Sequence, residues 1–114
     1  MANLTTTPIL PAVGRLDVVA ALVAATALGD SAEVGPGKFL AVNNADATSK
    51  TVTIVTPGTS RGFAIADGTY VVAAGKLCII PLNDVFRGGD GRAAITYSAV
   101  TSVTVGVFDI GTVI

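Results

Sequence analysis

Hydrophobic and polar positions alternate along this chain in short runs, cut at intervals of about 8–12 residues by Gly, Pro, Asn or Asp. The clearest run is Lys50 to Val55 (KTVTIV), with Val52 and Ile54 on one face and Thr51 and Thr53 on the other. Lys38 to Asn43 (KFLAVN) puts Phe39 and Ala41 on one face and Leu40 and Val42 on the other. The polar cluster Asn43 to Ser49 between these runs has turn composition, so together they predict a β-hairpin with a long loop. Thr59 to Asp67 reads as a loop and short strand carrying Phe63 and Ile65, closed by the turn dipeptide Asp67-Gly68. Thr69 to Ala73 and Lys76 to Leu82 are further strands, and Pro81 places the second of them at a sheet edge. After the glycine-rich excursion Asn83 to Gly91 come Arg92 to Ser98 and Ser102 to Phe108, the latter with Val103, Val105 and Val107 on one face and Thr104 and Gly106 on the other. The expected fold is all-β: a small β-sandwich or jelly-roll-like barrel of about 7–8 short antiparallel strands.

The N-terminal quarter is different. Residues 1–15 read as an extended arm, because Pro8 and Pro11 exclude a helix interior and three successive threonines add β character. Ile9, Leu10 and Val13 are too few to form a core; the arm is either a frayed end or a segment that docks on a neighbouring subunit. Residues 16–114 make the β-sandwich domain. Within them, Leu16 to Leu28 is ambiguous: alanine favours helix, yet its apolar residues follow no helical stripe. We read its second half as a strand, with Gly29-Asp30-Ser31 as the stop or turn that closes it.

Composition changes this picture in one respect. At 114 residues the chain is one domain, large enough for a real core without metal or disulfide staples. Charged residues make up only 13% against about 25% in a typical globular protein. The surface must therefore carry Thr, Ser, Ala and Val where most monomers carry Lys and Glu. Such a surface is suited to burial against other proteins. The net charge is −1 with charges scattered singly, which provides no footprint for nucleic acid. The apolar run Val18 to Leu28 is too short to span a bilayer and begins too late for a secretory signal. The expectation is cytoplasmic synthesis, with neither nucleic acid nor membrane as a partner.

Side chains suited to acid–base or metal chemistry are scarce. There is no His, and the single Cys78 sits in an apolar run that suggests a buried small hydrophobe. The acids fall mostly at turn positions, and none pair at short spacing on one strand face. Asp84 and Asp90 are loop acids among clustered oxygen donors, but they lack the spacing of a calcium loop. Gly35-Pro36-Gly37-Lys38 lacks the spacing and following hydroxyl of a phosphate loop. Tyr70 and Tyr97 could form a sugar platform but are of the type that packs in a core or at its rim. No enzyme, cofactor or metal is expected. The distinctive loop Arg87-Gly88-Gly89-Asp90-Gly91-Arg92 either presents two arginines to a partner or compensates its own charges. Thr5, Thr6, Thr7, Ile9, Leu10, Val13, Arg87 and Arg92 are the candidate interface residues.

The order of these segments resembles a known family. Phe39-Leu40-Ala41-Val42-Asn43-Asn44, then Thr51-Val52-Thr53-Ile54-Val55-Thr56-Pro57-Gly58, Phe63 to Asp67, and Thr69 to Gly75 follow the pattern of small head proteins of tailed bacteriophages. Ile95 to Ser98 and Val100 to Val105 match its ending. Each motif is ordinary β-sandwich punctuation, and the resemblance, over roughly residues 30–108, rests on their order. Ala74 stands where the pattern often has Pro. The resemblance implies a capsid decoration (cement) protein on the outer shell. Its partners would be the major capsid protein and copies of itself, as a homo-oligomer with a trimer as the expected form. The family carries no catalytic residues to transfer. The alternatives are another virion part, such as a tail or head–tail connection protein, and a secreted carbohydrate-binding sandwich.

Overall fold

The computed structural model describes residues 2–9, 11, 14 and 18–111. It is all-β, as expected, with two packed sheets. In chain order the strands are β1 (Ala2–Asn3), β2 (Thr6–Pro8), β3 (Val23–Ala24), β4 (Asp30–Glu33), β5 (Lys38–Asn44), β6 (Lys50–Ile54), β7 (Thr59–Ser60), β8 (Phe63–Ala64), β9 (Gly68–Val72), β10 (Leu77–Pro81), β11 (Arg92–Tyr97) and β12 (Val103–Asp109). The first sheet has the order β1-β4-β11-β6-β9. The second has the order β10-β5-β12-β2, with β3 also paired to β12. Short 3-10 turns occupy Val19–Ala21 and Asp84–Phe86.

The core fills the space between the sheets, where alternate positions point inward. Val52, Ile54 and Ile95 of the first sheet face Leu40, Val42, Val105 and Val107 of the second, all essentially without exposure. The expected alternation in β6 and β12 is therefore observed. Cys78 is half-buried against the same cluster rather than fully enclosed.

Three expectations about connection need correction. First, β5 and β6 do not form a hairpin: β5 pairs β10 and β12 in one sheet, and β6 pairs β11 and β9 in the other. The polar loop between them crosses the sandwich instead. It is locked by the buried Asn44, whose Nδ2 donates to the Thr48 carbonyl at 2.8 Å and the Val72 carbonyl at 3.0 Å. Second, Asp30 and Ser31 are not a turn but the start of β4. Third, residues 2–9 do not extend as an arm away from the domain. Ala2–Asn3 runs parallel to β4, Thr6–Pro8 runs parallel to β12, and Leu4 between them lies in the core. These two pairings are also the exceptions to an antiparallel arrangement. The ambiguous stretch is a 3-10 turn followed by the two-residue β3, so the strand reading of its second half holds over Val23–Ala24.

The outer face of the second sheet is partly covered as well. Ala41 and Phe108 have no exposure although they lie outside the inner core. Phe108 stacks on Phe39 with ring centroids 5.6 Å apart. Gly106 makes room for this cover: a Cβ there would stand 2.7 Å from Leu22 Cδ2. A strand glycine at a close approach is thus explained by the segment packed over it.

Candidate assembly surface and a buried-edge pocket

The two lateral edges of the sandwich differ in how they end. On one side the chain itself closes the gap. After Leu4 donates its N–H to the Ser31 carbonyl at 2.8 Å, the chain crosses to the second sheet, and Ile9 donates to the Asp109 carbonyl at 2.8 Å. Arg92 pins this crossing from the first sheet: Nη2 donates to the Leu4 carbonyl at 2.8 Å and Nε to Ser31 Oγ at 3.1 Å. Ser31 Oγ in turn donates to Asn3 Oδ1 at 2.6 Å, and Thr6 Oγ1 to Glu33 Oε1 at 2.9 Å.

The opposite edge is bare. It consists of β9 in one sheet and β10 in the other, joined by a tight turn, and among the described residues no strand pairs with the far side of either. On β10, Leu77, Ile79 and Pro81 point outward, and Ile79 keeps 57% of its surface exposed. On β9, Val71 is 69% exposed on the outer face of the first sheet. Between β6 and β9 a small hairpin, β7–β8, stands away from the body. Its two-residue loop has positive φ at both Arg61 (54°) and Gly62 (82°), the geometry of a type I′ turn. The hairpin carries Phe63, 76% exposed. Unpaired strand edges and clustered aliphatics are features that a solitary domain normally covers, shortens or charges.

The candidate interface residues separate accordingly. Thr5 is exposed on the crossing; Thr6, Thr7 and Ile9 are half-buried within it. Leu10 and Val13 lie outside the described residues. Arg87 bonds inside its own loop to Asp84 Oδ1 at 2.8 Å, and to the Val34 carbonyl just after β4 at 3.4 Å. Arg92 is committed to the crossing. The structure does not bring the six described residues into one outward patch. The exposed aliphatics of β9 and β10 were not singled out from the sequence, although Pro81 had marked β10 as an edge.

A pocket of about 280 Å³ lies beneath the crossing, between the two sheets. Its apolar walls include Leu4, Val23, Val105 and Val107, and Thr5, Thr7 and Thr26 also line it. Asp30 lines it too, fully buried on the inner face of β4. The register sets Asp30 opposite Ile95, so Tyr97, two residues on, shares that face. Tyr97 Oη donates to Asp30 Oδ2 at 2.7 Å, and the Thr26 N–H donates to the same oxygen at 3.2 Å. Burial, reinforced by the neighbouring Asp30 carboxylate, pushes the Tyr97 phenol far above its ordinary value. Asp30 Oδ1 has no hydrogen-bond partner. Among the described residues there is no cluster of three or more His, Cys, Asp or Glu side chains that could hold a metal ion. Among the described residues no helix is long and apolar enough to cross a membrane. Comparison of the chain with family models, curated proteins and solved structures finds no match.

Proposed function

We propose that this chain is a structural virion protein, a capsid decoration protein that binds the outer shell as a homo-oligomer, with a trimer as the expected assembly. Its partners are further copies of itself and the major capsid protein, and it acts by tying neighbouring capsomers together. The observation that carries this reading is the bare edge: Leu77, Ile79 and Val71 remain exposed on strands whose outer sides no other strand covers among the described residues. The scarcity of charge in the sequence points the same way, as does the order of motifs shared with small phage head proteins.

The physical mechanism is burial. At about 25 cal/mol per Å² of apolar area, an interface of roughly 1,600 Å² has a large gross driving force. Much of it is offset by lost translational and rotational freedom. An oligomer that touches several capsomers at once recovers the difference through avidity, since each further contact is intramolecular. The docking role that the sequence offered to the N-terminal arm passes to the β9–β10 edge, because residues 2–9 pair within the domain and bury Leu4 in its core.

The test is addition of the purified chain to empty expanded capsids that lack it, followed by co-sedimentation and image reconstruction. The expected result is saturable binding, with density at regular lattice points on the outside of the shell. Protein that stays in the supernatant at all concentrations overturns the proposal.

A further inference from the structure

Hydrogen-bond parity decides what an edge strand offers. In an antiparallel pair, alternate residues exchange both backbone bonds with the partner strand, and the residues between them turn theirs the other way. On β10 the even positions serve β5. The Asn44 N–H donates to the Lys76 carbonyl at 3.0 Å and the Leu82 N–H to the Lys38 carbonyl at 3.0 Å, and in the same register Cys78 and Ile80 stand opposite Val42 and Leu40. Leu77, Ile79 and Pro81 therefore turn their backbone groups away from β5, where no strand meets them among the described residues. This free edge carries two N–H donors, at Leu77 and Ile79, because Pro81 has none.

That pattern is complementary to a second copy of itself. With β10 run antiparallel to β10 about a two-fold axis at Cys78, Leu77 of each copy stands opposite Ile79 of the other. Each such pair exchanges two backbone bonds, so the contact uses every free donor of the edge. On the outer face the exposed Leu77 and Ile79 side chains meet across the junction as an aliphatic pair. Lys76, the charge next to the strand, lies four residues along from its counterpart, about 14 Å away, so no like charges face each other. The ladder is also bounded. It stops at Pro81 on one side and at Gly75 on the other, where the chain turns with a φ of 72°.

We propose that two copies of the chain pair through β10, antiparallel about a two-fold axis at Cys78, into one continuous sheet. This pairing rests on the reading that another copy covers the β9–β10 edge, and it gives that contact its strand, direction and register. The contact is isologous, so by itself it makes a dimer; a trimer takes a further contact elsewhere. Cys78 reports the register. The two copies of Cys78 form the non-hydrogen-bonded pair on the axis, with Cα atoms about 4.5 Å apart, within the range that a disulfide spans.

The test sediments the whole chain over a range of concentrations and oxidises it with diamide, with the products resolved on a non-reducing gel. The expected result is an even-numbered assembly and a disulfide-linked dimer that reductant reverses. The control is Cys78→Ser/Ser60→Cys, whose thiol lies on the exposed β7. The wild type should link about tenfold faster than this control or more, because its thiols are held together. Ile79→Pro removes a donor that β5 does not use, and it should weaken association by about tenfold or more. Should that variant fail to fold, trapping of the wild type decides alone. A monomer at every concentration, an odd-numbered assembly, trapping no faster than the control, or unweakened association of folded Ile79→Pro overturns the proposal. Empty shells separate it from the decoration reading. A chain that binds shells without pairing overturns the pairing alone, and a chain that pairs without binding shells overturns decoration alone.

Discussion

One edge of this sandwich is closed by its own chain and the other is left open. At the closed edge the N-terminal strands bridge the two sheets, bury Leu4 and are pinned by Arg92. At the open edge, β9 and β10 end each sheet with aliphatic side chains in solvent. Both edges face the same physical problem of unpaired backbone and uncovered apolar surface. The first solves it with eight residues of extended chain. The second has no such segment among the described residues, and its exposed residues are not charged as an ordinary edge would be. The contrast teaches that the same problem is met by pairing at one edge and left to exposed aliphatics at the other, where Val71, Leu77 and Ile79 join those exposed elsewhere, Val23, Leu28 and Ile110 among them.

The comparison predicts opposite consequences for mutations at the two edges. The largest effect on folding belongs to the closed edge. Leu4→Ala should cost about 2–5 kcal/mol, the range for emptying a buried leucine site, seen as a lower denaturation midpoint. An unchanged midpoint would mean that the crossing is not integral to the core. A smaller effect is expected at Tyr97→Phe, which removes one donor from buried Asp30 and should cost about 1–3 kcal/mol. Its pH dependence has a defined sign. Because the folded phenol is raised above its ordinary value near 10, folding stability is complete below that pH and falls as pH rises beyond it. Tyr97→Phe should remove that part of the alkaline loss, which a denaturation series at rising pH measures.

The loop that crosses from β5 to β6 is tied to the open edge by Asn44, whose Nδ2 donates to the Val72 carbonyl of β9 at 3.0 Å. Lys50 Nζ, itself buried, donates to Asp46 Oδ2 at 2.6 Å, and this bond holds the Asp46 carboxyl below the usual carboxylate range. A depressed carboxyl contributes stability above its unfolded value, near 4, and loses it as pH falls through the folded value. Asp46→Asn should therefore flatten the acid limb of the stability curve; an unaltered limb would show that the ion pair contributes nothing. The smallest effect on folding is expected at the open edge itself. Ile79→Lys should stay within about 0.5 kcal/mol of wild type while weakening self-association and shell binding strongly. A large loss of stability would instead mark Ile79 as part of the fold.

The regularity of the strands was legible in the sequence; their partners were not. Val52, Ile54, Val103, Val105 and Val107 announce inward faces by period-two alternation alone. The loop after Asn43 has the composition of a hairpin loop whether it pairs two strands or carries the chain between sheets. A clue lay in Phe39 to Val42, which is apolar on both faces. A hairpin with one solvated face would alternate, whereas β5 is buried on both sides. Asp30 was hidden for a different reason. Beside Gly29 it has the look of a turn residue, and only the pairing of β4 with β11 sets it opposite Ile95. Had Asp30, Ala32 and Val34 been read as one face, with Ser31 and Glu33 on the other, the acid would have stood out at an apolar position. The exposed row on β10 follows from the same limitation, since Leu77 and Ile79 look like core residues until the sheet order makes that strand an edge.

Sedimentation of the purified chain over a range of concentrations, beside a Leu77→Lys/Ile79→Lys variant, tests most directly whether the open edge exists to be covered by another chain. The account predicts a discrete oligomer for the wild type and a folded monomer for the variant. A wild type that stays monomeric at every concentration, or a variant that assembles equally well, would contradict it.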